Sequence, residues 1–179
     1  MRLKIFALIL GLVQIACTAD EKKAVMEVSD EKPEEPVAKV IKSDEDWRRL
    51  LSPEQYRILR QAGTEAPYSS VYKEFKKQGE GSYHCAGCNT LLFSSKQKFD
   101  SGCGWPSFYD PAKAGNVVTK RDESLGMVRI EVLCAKCDGH LGHVFEGEGF
   151  NTPTDKRYCI NGVGLKFVPA NEDKSADSQ

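Results

Sequence analysis

The sequence predicts a mainly β domain, with antiparallel sheets in a barrel-like arrangement, short helices at its N-terminal end and a four-cysteine metal clamp. Three observations carry that expectation. Val128, Ile130 and Val132 alternate with Arg129 and Glu131, and Val163, Leu165 and Phe167 alternate with Gly164 and Lys166, as half-buried strands require. Turn-forming Gly, Pro, Asn and Asp separate these runs, and the 179 residues include 15 glycines. Cys85-x-x-Cys88 and Cys134-x-x-Cys137 are two pairs with the spacing of one tetrahedral thiolate site. A chain of this length suits one domain with some peripheral sequence. Its net charge of -1 leaves no electrostatic footprint for nucleic acid.

The N-terminus bears on location. Met1-Arg2-Leu3-Lys4 is a basic opening, and Ile5 to Ile15 is an apolar run broken only by Gly11 and Gln14. Such a run is too short to span a bilayer and fits a secretory signal, here residues 1–16. It ends at Ala16-Cys17, which has the form of a bacterial lipobox with Gln14 in place of the usual Leu. Ordinary cleavage near Ala16 or Ala19 is the alternative. In the lipoprotein reading Cys17 is the lipidation site, and acyl chains anchor the protein to the periplasmic side of a bacterial membrane. Thr18 directly after the cysteine, with Asp only at position 20, leans toward the outer membrane. Residues 17–42, dense in Lys, Glu and Asp and carrying Pro33 and Pro36, read as a flexible tether. The domain is expected over 43–170, with a polar tail at 171–179.

Two short helices open the domain. Ser43 with Asp46 caps a turn carrying Trp47, Leu50 and Leu51. Ser52-Pro53-Glu54-Gln55 places Ser at the N-cap, Pro at the first helical position and Gln at the capping-box position. Tyr56, Leu59 and Ala62 follow at helical spacing, and Gly63 supplies a stop.

The cysteines divide by spacing. In the two CxxC pairs, glycine at positions 87 and 139 eases tight turns that let four thiolates reach one ion. Zinc is the metal expected for a structural site of this kind, and metal binding then contributes directly to folding. Two cross-paired disulfides are the alternative in an oxidising compartment. Cys159, in Arg157-Tyr158-Cys159-Ile160-Asn161, is either a small buried hydrophobe or a reactive thiol. Arg157 beside it, and His140 and His143 in His140-Leu141-Gly142-His143, supply the groups that activate a thiol. Cys103 lies between Gly102 and Gly104, a mobile or closely packed loop suited to a sulfur that moves to meet another. Trp105 beside it is either a core anchor, with Phe108, or the wall of a small apolar pocket.

Gly102-Cys103-Gly104-Trp105-Pro106-Ser107-Phe108, His140-Leu141-Gly142-His143-Val144-Phe145 and Arg157-Tyr158-Cys159-Ile160-Asn161, with both CxxC pairs, resemble the methionine sulfoxide reductase B family. The resemblance runs from about Ser43 to Val168 and includes Trp47, Ser52 to Tyr56 and Gly126-Met127-Val128-Arg129. Gly162 stands where the family usually has serine, and Asp138 where it usually has glycine. The family implies a β-rich fold and reduction of the R epimer of methionine sulfoxide. By that resemblance Cys159 attacks the sulfoxide sulfur, His143 with His140 or a water protonates its oxygen, and Asn161 and Arg129 arrange polar groups around it. Trp105, and more weakly Phe145, pack against the S-methyl group. Cys103 then closes a disulfide with Cys159, which a thioredoxin-like reductant reopens. Two other classes compete on the residues alone: a secreted zinc-clamped binding module without turnover, and a general thiol–disulfide oxidoreductase using a CxxC pair.

Overall fold

Good capping starts the helices. In the computed structural model, which describes residues 38–173, Ser43 caps α1 (Asp44–Leu50) by accepting from the Asp46 amide. Ser52 and Gln55 form the reciprocal capping box of α2 (Pro53–Gln61), at 3.2 and 3.1 Å. Such caps are worth about 0.5–2 kcal/mol each. The stop falls one residue before the glycine, because Ala62 takes the left-handed turn at φ 51°. A further helix, α3 (Ser70–Lys77), was not expected; Ser69 caps it, and Tyr72 and Phe75 form its buried face.

Eight strands follow: β1 (Gly81–Cys85), β2 (Leu91–Ser94), β3 (Ser107–Phe108), β4 (Val117–Asp122), β5 (Arg129–Cys134), β6 (His140–Glu146), β7 (Lys156–Ile160) and β8 (Leu165–Pro169), then a short α4 (Ala170–Asp173). They pair antiparallel in two sheets, β2-β1-β8 and β3-β7-β6-β5-β4. The mainly β, antiparallel expectation holds, but no closed barrel forms among the described residues. The outer strands explain why. β4 displays Lys120 and Arg121, charges typical of an edge that stays unpaired, and β3 has only two residues.

Aromatic rings fill the space between the sheets and α3. Phe93 stacks on Phe108 at 4.4 Å, and Tyr83 sits edge-on to Phe108 at 5.0 Å. At the other end α1 and α2 roof the CxxC turns: Trp47 is buried, Arg60 lies over its ring at 4.9 Å, and the same guanidinium donates to the Cys137 carbonyl at 2.8 Å. The last residues of the expected tether belong to this end. The Val40 amide donates to the Lys136 carbonyl at 2.7 Å, and Lys39 pairs with Asp138 at 2.6 Å. Cys17, the signal segment and most of the tether and tail lie outside the described residues.

The alternation in β5 holds, but its two faces exchange roles toward the strand's start. Val132 is fully buried, whereas Ile130 is 39 % and Val128 61 % exposed. Arg129 and Glu131, on the nominally wet face, are the ones partly buried. That face carries the site.

Candidate active site and metal centre

Cys159 lies on β7 with Ser107 of β3 opposite it on one side and His143 of β6 on the other. Gly142 makes that approach possible: a β-carbon there would stand 2.1 Å from the Cys159 carbonyl oxygen, so only glycine lets β6 and β7 run this close. Because side chains alternate along strands, Cys159 shares its face with Arg157, His143, Phe145, Glu131, Arg129 and Asp122.

Cys103 reaches the same spot from the loop before β3. Its Sγ lies 3.8 Å from that of Cys159, so a shift of roughly 2 Å would bring the pair to disulfide length. Gly102 and Gly104 flank it at φ 71° and 90°, a backbone path that a side chain would strain. The Ser101 hydroxyl donates to Cys103 Sγ at 3.0 Å, and Ser107 Oγ lies 3.5 Å away. The hydrogen bond from Cys159 first, then those from Ser101 and Ser107, lower the Cys103 pKa to about 4 against the opposing effect of burial. Cys159 is pushed up, mainly by donating that bond to Cys103 and then by burial, with Arg157 opposing. The hydrogen bond between the two sulfurs thus shifts them in opposite directions, favouring the thiolate at Cys103 and the thiol at Cys159.

Two histidine–carboxylate pairs border the sulfurs. His143 Nε2 is 2.8 Å from Asp122 Oδ2, and Arg129 donates to the same oxygen at 2.7 Å. Hydrogen bonds from Ser124, then from His143, with the nearby Arg129 charge, hold the Asp122 carboxyl well below the usual range. His140 Nδ1 is 2.7 Å from Glu131 Oε1, and its ring lies 5.5 Å from that of His143. Burial lowers the His140 pKa although Glu131 opposes this, and its Nε2 has no hydrogen-bond partner among the described residues. Arg157 is held by Glu148 in a two-point contact at 2.7 and 2.8 Å and lies 4.5 Å over the Phe145 ring. Its charge thus stays beside Cys159.

Trp105 is partly exposed, with its Nε1 donating to the Glu65 carbonyl at 3.0 Å. Asn161 is placed differently from the other expected site residues. It is buried, its Oδ1 accepting from the Glu65 amide and its Nδ2 donating to the Leu141 carbonyl, each at 3.0 Å. Its amide thus fixes the turn after Cys159. Asp122, Glu131, Glu148 and Glu65 were all missed from the sequence. The first three lie 21, 9 and 9 residues from their partners, and only strand pairing and loop return bring them there.

The four CxxC sulfurs form one cluster rather than two separate bridges. All lie within 4.8 Å of one another, with Cys85–Cys137 at 3.7 Å and Cys88–Cys134 at 3.5 Å. Four thiolates about 2.3 Å from one tetrahedral ion stand about 3.8 Å apart, so the residues fit a metal. Both turns use the same device: Asn89 and Asp138, each just after a second cysteine, take left-handed φ of 60° and 56°. Their amides donate to the Cys85 and Cys134 carbonyls at 2.8 and 2.9 Å.

Four clustered cysteines that could hold a metal ion, and a close dithiol beside histidines on a sheet face, are the features of a thiol oxidoreductase. The model of the SelR domain matches residues 51–169. The chain is 58 % identical over 132 residues to peptide methionine sulfoxide reductase MsrB of Bradyrhizobium diazoefficiens, covering 73 % of this chain and 91 % of that one. It is 56 % identical over 128 residues to peptide methionine sulfoxide reductase MsrB of Leptospira interrogans, covering 72 % and 95 %. With peptide methionine sulfoxide reductase B3, chloroplastic, of Oryza sativa it shares 54 % over 134 residues, 75 % of this chain but 56 % of that longer one. The chain belongs to the SelR-domain family of peptide methionine sulfoxide reductases.

Proposed function

We propose that the protein reduces the R epimer of methionine sulfoxide in oxidised proteins to methionine, using Cys159 and Cys103 as a two-electron donor. The observation that carries this reading is the 3.8 Å sulfur pair beside His143 and its Asp122 partner. On substrate binding the shared proton passes from Cys159 to Cys103, leaving Cys159 as the thiolate. It attacks the sulfoxide sulfur while His143, with His140 or a water, protonates the oxygen, because an unprotonated oxide is a prohibitive leaving group. The protonated oxygen passes from the methionine sulfur to the Cys159 sulfur as the transient bond between the two sulfurs breaks, so methionine departs and Cys159 becomes a sulfenic acid. The Cys103 sulfur displaces its hydroxyl, releasing water and closing the disulfide. A thioredoxin-like dithiol then restores both thiols by exchange. Trp105 and Phe145 wall the methyl group, Arg157 keeps positive charge beside Cys159, and Arg129 and Asn161 act by positioning.

Zinc is the metal proposed for Cys85, Cys88, Cys134 and Cys137. It would hold the two turns together and take no part in the chemistry. The N-terminal sequence supports export and lipid anchoring through Cys17 on the periplasmic side of a membrane, with residues 17–42 as tether before a catalytic domain over 43–170. Turnover of separated R and S methyl sulfoxides with a dithiol reductant tests the activity. Only the R epimer should be consumed, and Cys159→Ser should be inert. Turnover by Cys159→Ser, or preference for the S epimer, would sink the scheme.

A further inference from the structure

Glu65, in the loop between α2 and α3, is 4 % exposed, and no part of the mechanism above uses it. A buried carboxylate is costly unless it is fully hydrogen-bonded. Here its Oε1 accepts from the Gly162 amide at 2.7 Å and its Oε2 from the Val163 amide at 3.0 Å. Bonds of this charge-assisted kind are the stronger ones. Its main chain reaches two expected site residues: its amide meets Asn161 Oδ1 and its carbonyl meets Trp105 Nε1. Three residues on, Tyr68 holds the Cys103 loop twice, its amide donating to the Gly104 carbonyl at 2.8 Å and its hydroxyl to the Gly102 carbonyl at 2.6 Å. The short segment 65–68 is therefore a clasp joining the two stretches that adjoin or bear the reactive cysteines, 102–105 and 161–163.

We infer that Glu65 is a positioning residue: its carboxylate locks this clasp across the dithiol and so sets the Trp105 ring where the methyl group of the sulfoxide packs. The inference rests on the sulfoxide reductase reading. A wall that touches the methyl group equally in the ground and transition states contributes to KM and little to kcat. Loss of the lock should therefore show as weaker substrate binding. A carboxylate that only supported folding would, when lost, reduce the active fraction, lowering apparent kcat at constant KM.

The test compares metal-loaded full-length wild type with Glu65→Gln, which keeps the shape but turns an amide group toward a backbone N–H. The substrate is N-acetylmethionine R-sulfoxide with dithiothreitol. KM should rise about tenfold while kcat stays within about threefold. In a Trp105→Phe background, which lacks the donor to the Glu65 main-chain carbonyl, Glu65→Gln should raise KM little further, because the carboxylate acts on KM only by placing the Trp105 ring. An unchanged KM, or a full additional rise in the Trp105→Phe background, overturns the inference. Should Glu65→Gln fail to fold, Glu65→Asp, which keeps the charge but shortens its reach to the Gly162 and Val163 amides, takes its place, and an unmoved KM overturns the role. A wild type inert toward both epimers would instead refute the reductase reading.

Discussion

Gly162 opens the turn after Asn161, and the structure gives a steric reason for glycine here. A β-carbon at this position would meet Val71 Cγ1 at 2.6 Å, and Glu65 Oε1 and Pro106 Cγ each at 3.3 Å. Carbon atoms in good contact lie roughly 3.5–4.0 Å apart, so the overlap with Val71 is about 1 Å. Val71 sits on α3, where a β-branched side chain has essentially one rotamer and cannot turn aside. Gly162→Ala should therefore destabilise by about 1–3 kcal/mol through overpacking. The stiffer unfolded chain recovers about 0.4–1 kcal/mol of that. A net loss of about 1–2 kcal/mol corresponds to a Tm roughly 4–8 °C lower for a domain of this size. Val71→Ala removes both γ-carbons, leaving only the two 3.3 Å contacts, which need a few tenths of an ångström. In that background Gly162→Ala should become neutral or slightly stabilising. Calorimetric melts of the four proteins of the cycle measure this. If Gly162→Ala costs the same with and without Val71, the clash is not the reason for glycine.

The acid dithiol makes a kinetic prediction. A thiol whose pKa is lowered stays ionised above its folded-state value, so alkylation of Cys103 by iodoacetamide should be nearly flat from pH 8 to 5 and fall through about pH 4. An ordinary thiol, with pKa near ~8.5, would slow about tenfold per pH unit across that range, and that slope would contradict the assignment. Asp122→Asn should lower kcat roughly 100-fold by releasing His143 and Arg129, within the range general acid–base groups supply, while alkylation of the dithiol changes little. A variant with near-normal kcat would remove Asp122 from the mechanism. Structural metal in such sites binds with about 10–16 kcal/mol, against about 5–15 kcal/mol for the stability of a whole domain. Removing the metal with a chelator, or a ligand by Cys88→Ser, should therefore abolish the cooperative thermal transition. Retention of that transition after complete metal loss would show that the clamp is dispensable.

How much of this was legible in the sequence depended on how local each feature is. The Ser52 capping box and the CxxC turns are read within four residues, and both formed as expected. Cys103 and Cys159 were singled out by the glycine, tryptophan, histidine and arginine around them and by the family resemblance, and the structure brings their sulfurs to 3.8 Å. The carboxylates were not found, because acidic residues are common and their partners lie across strands or loops. In β5 the periodicity gave the alternation correctly but assigned its faces by hydrophobicity alone. Charges on the face of Arg129 and Glu131 are shielded because they pair with Asp122 and the histidines, which no windowed pattern detects. The barrel expectation failed for a similar reason: closure depends on whether first and last strands meet, and two-residue β3 and charged β4 do not.

The thiolate cluster also has a consequence for the order in which the chain assembles. It ties the end of β1, in one sheet, to the end of β5, in the other, through contacts spanning 52 and 46 residues. Contacts that distant in sequence are slow to find, because loop closure must be completed before they stabilise anything. An ion captured by one CxxC turn would bring the second turn a ready binding partner at the moment of encounter. Refolding speed should then depend on when the ion is taken up, with early capture shortening the search and late capture leaving two sheets that form but do not find each other.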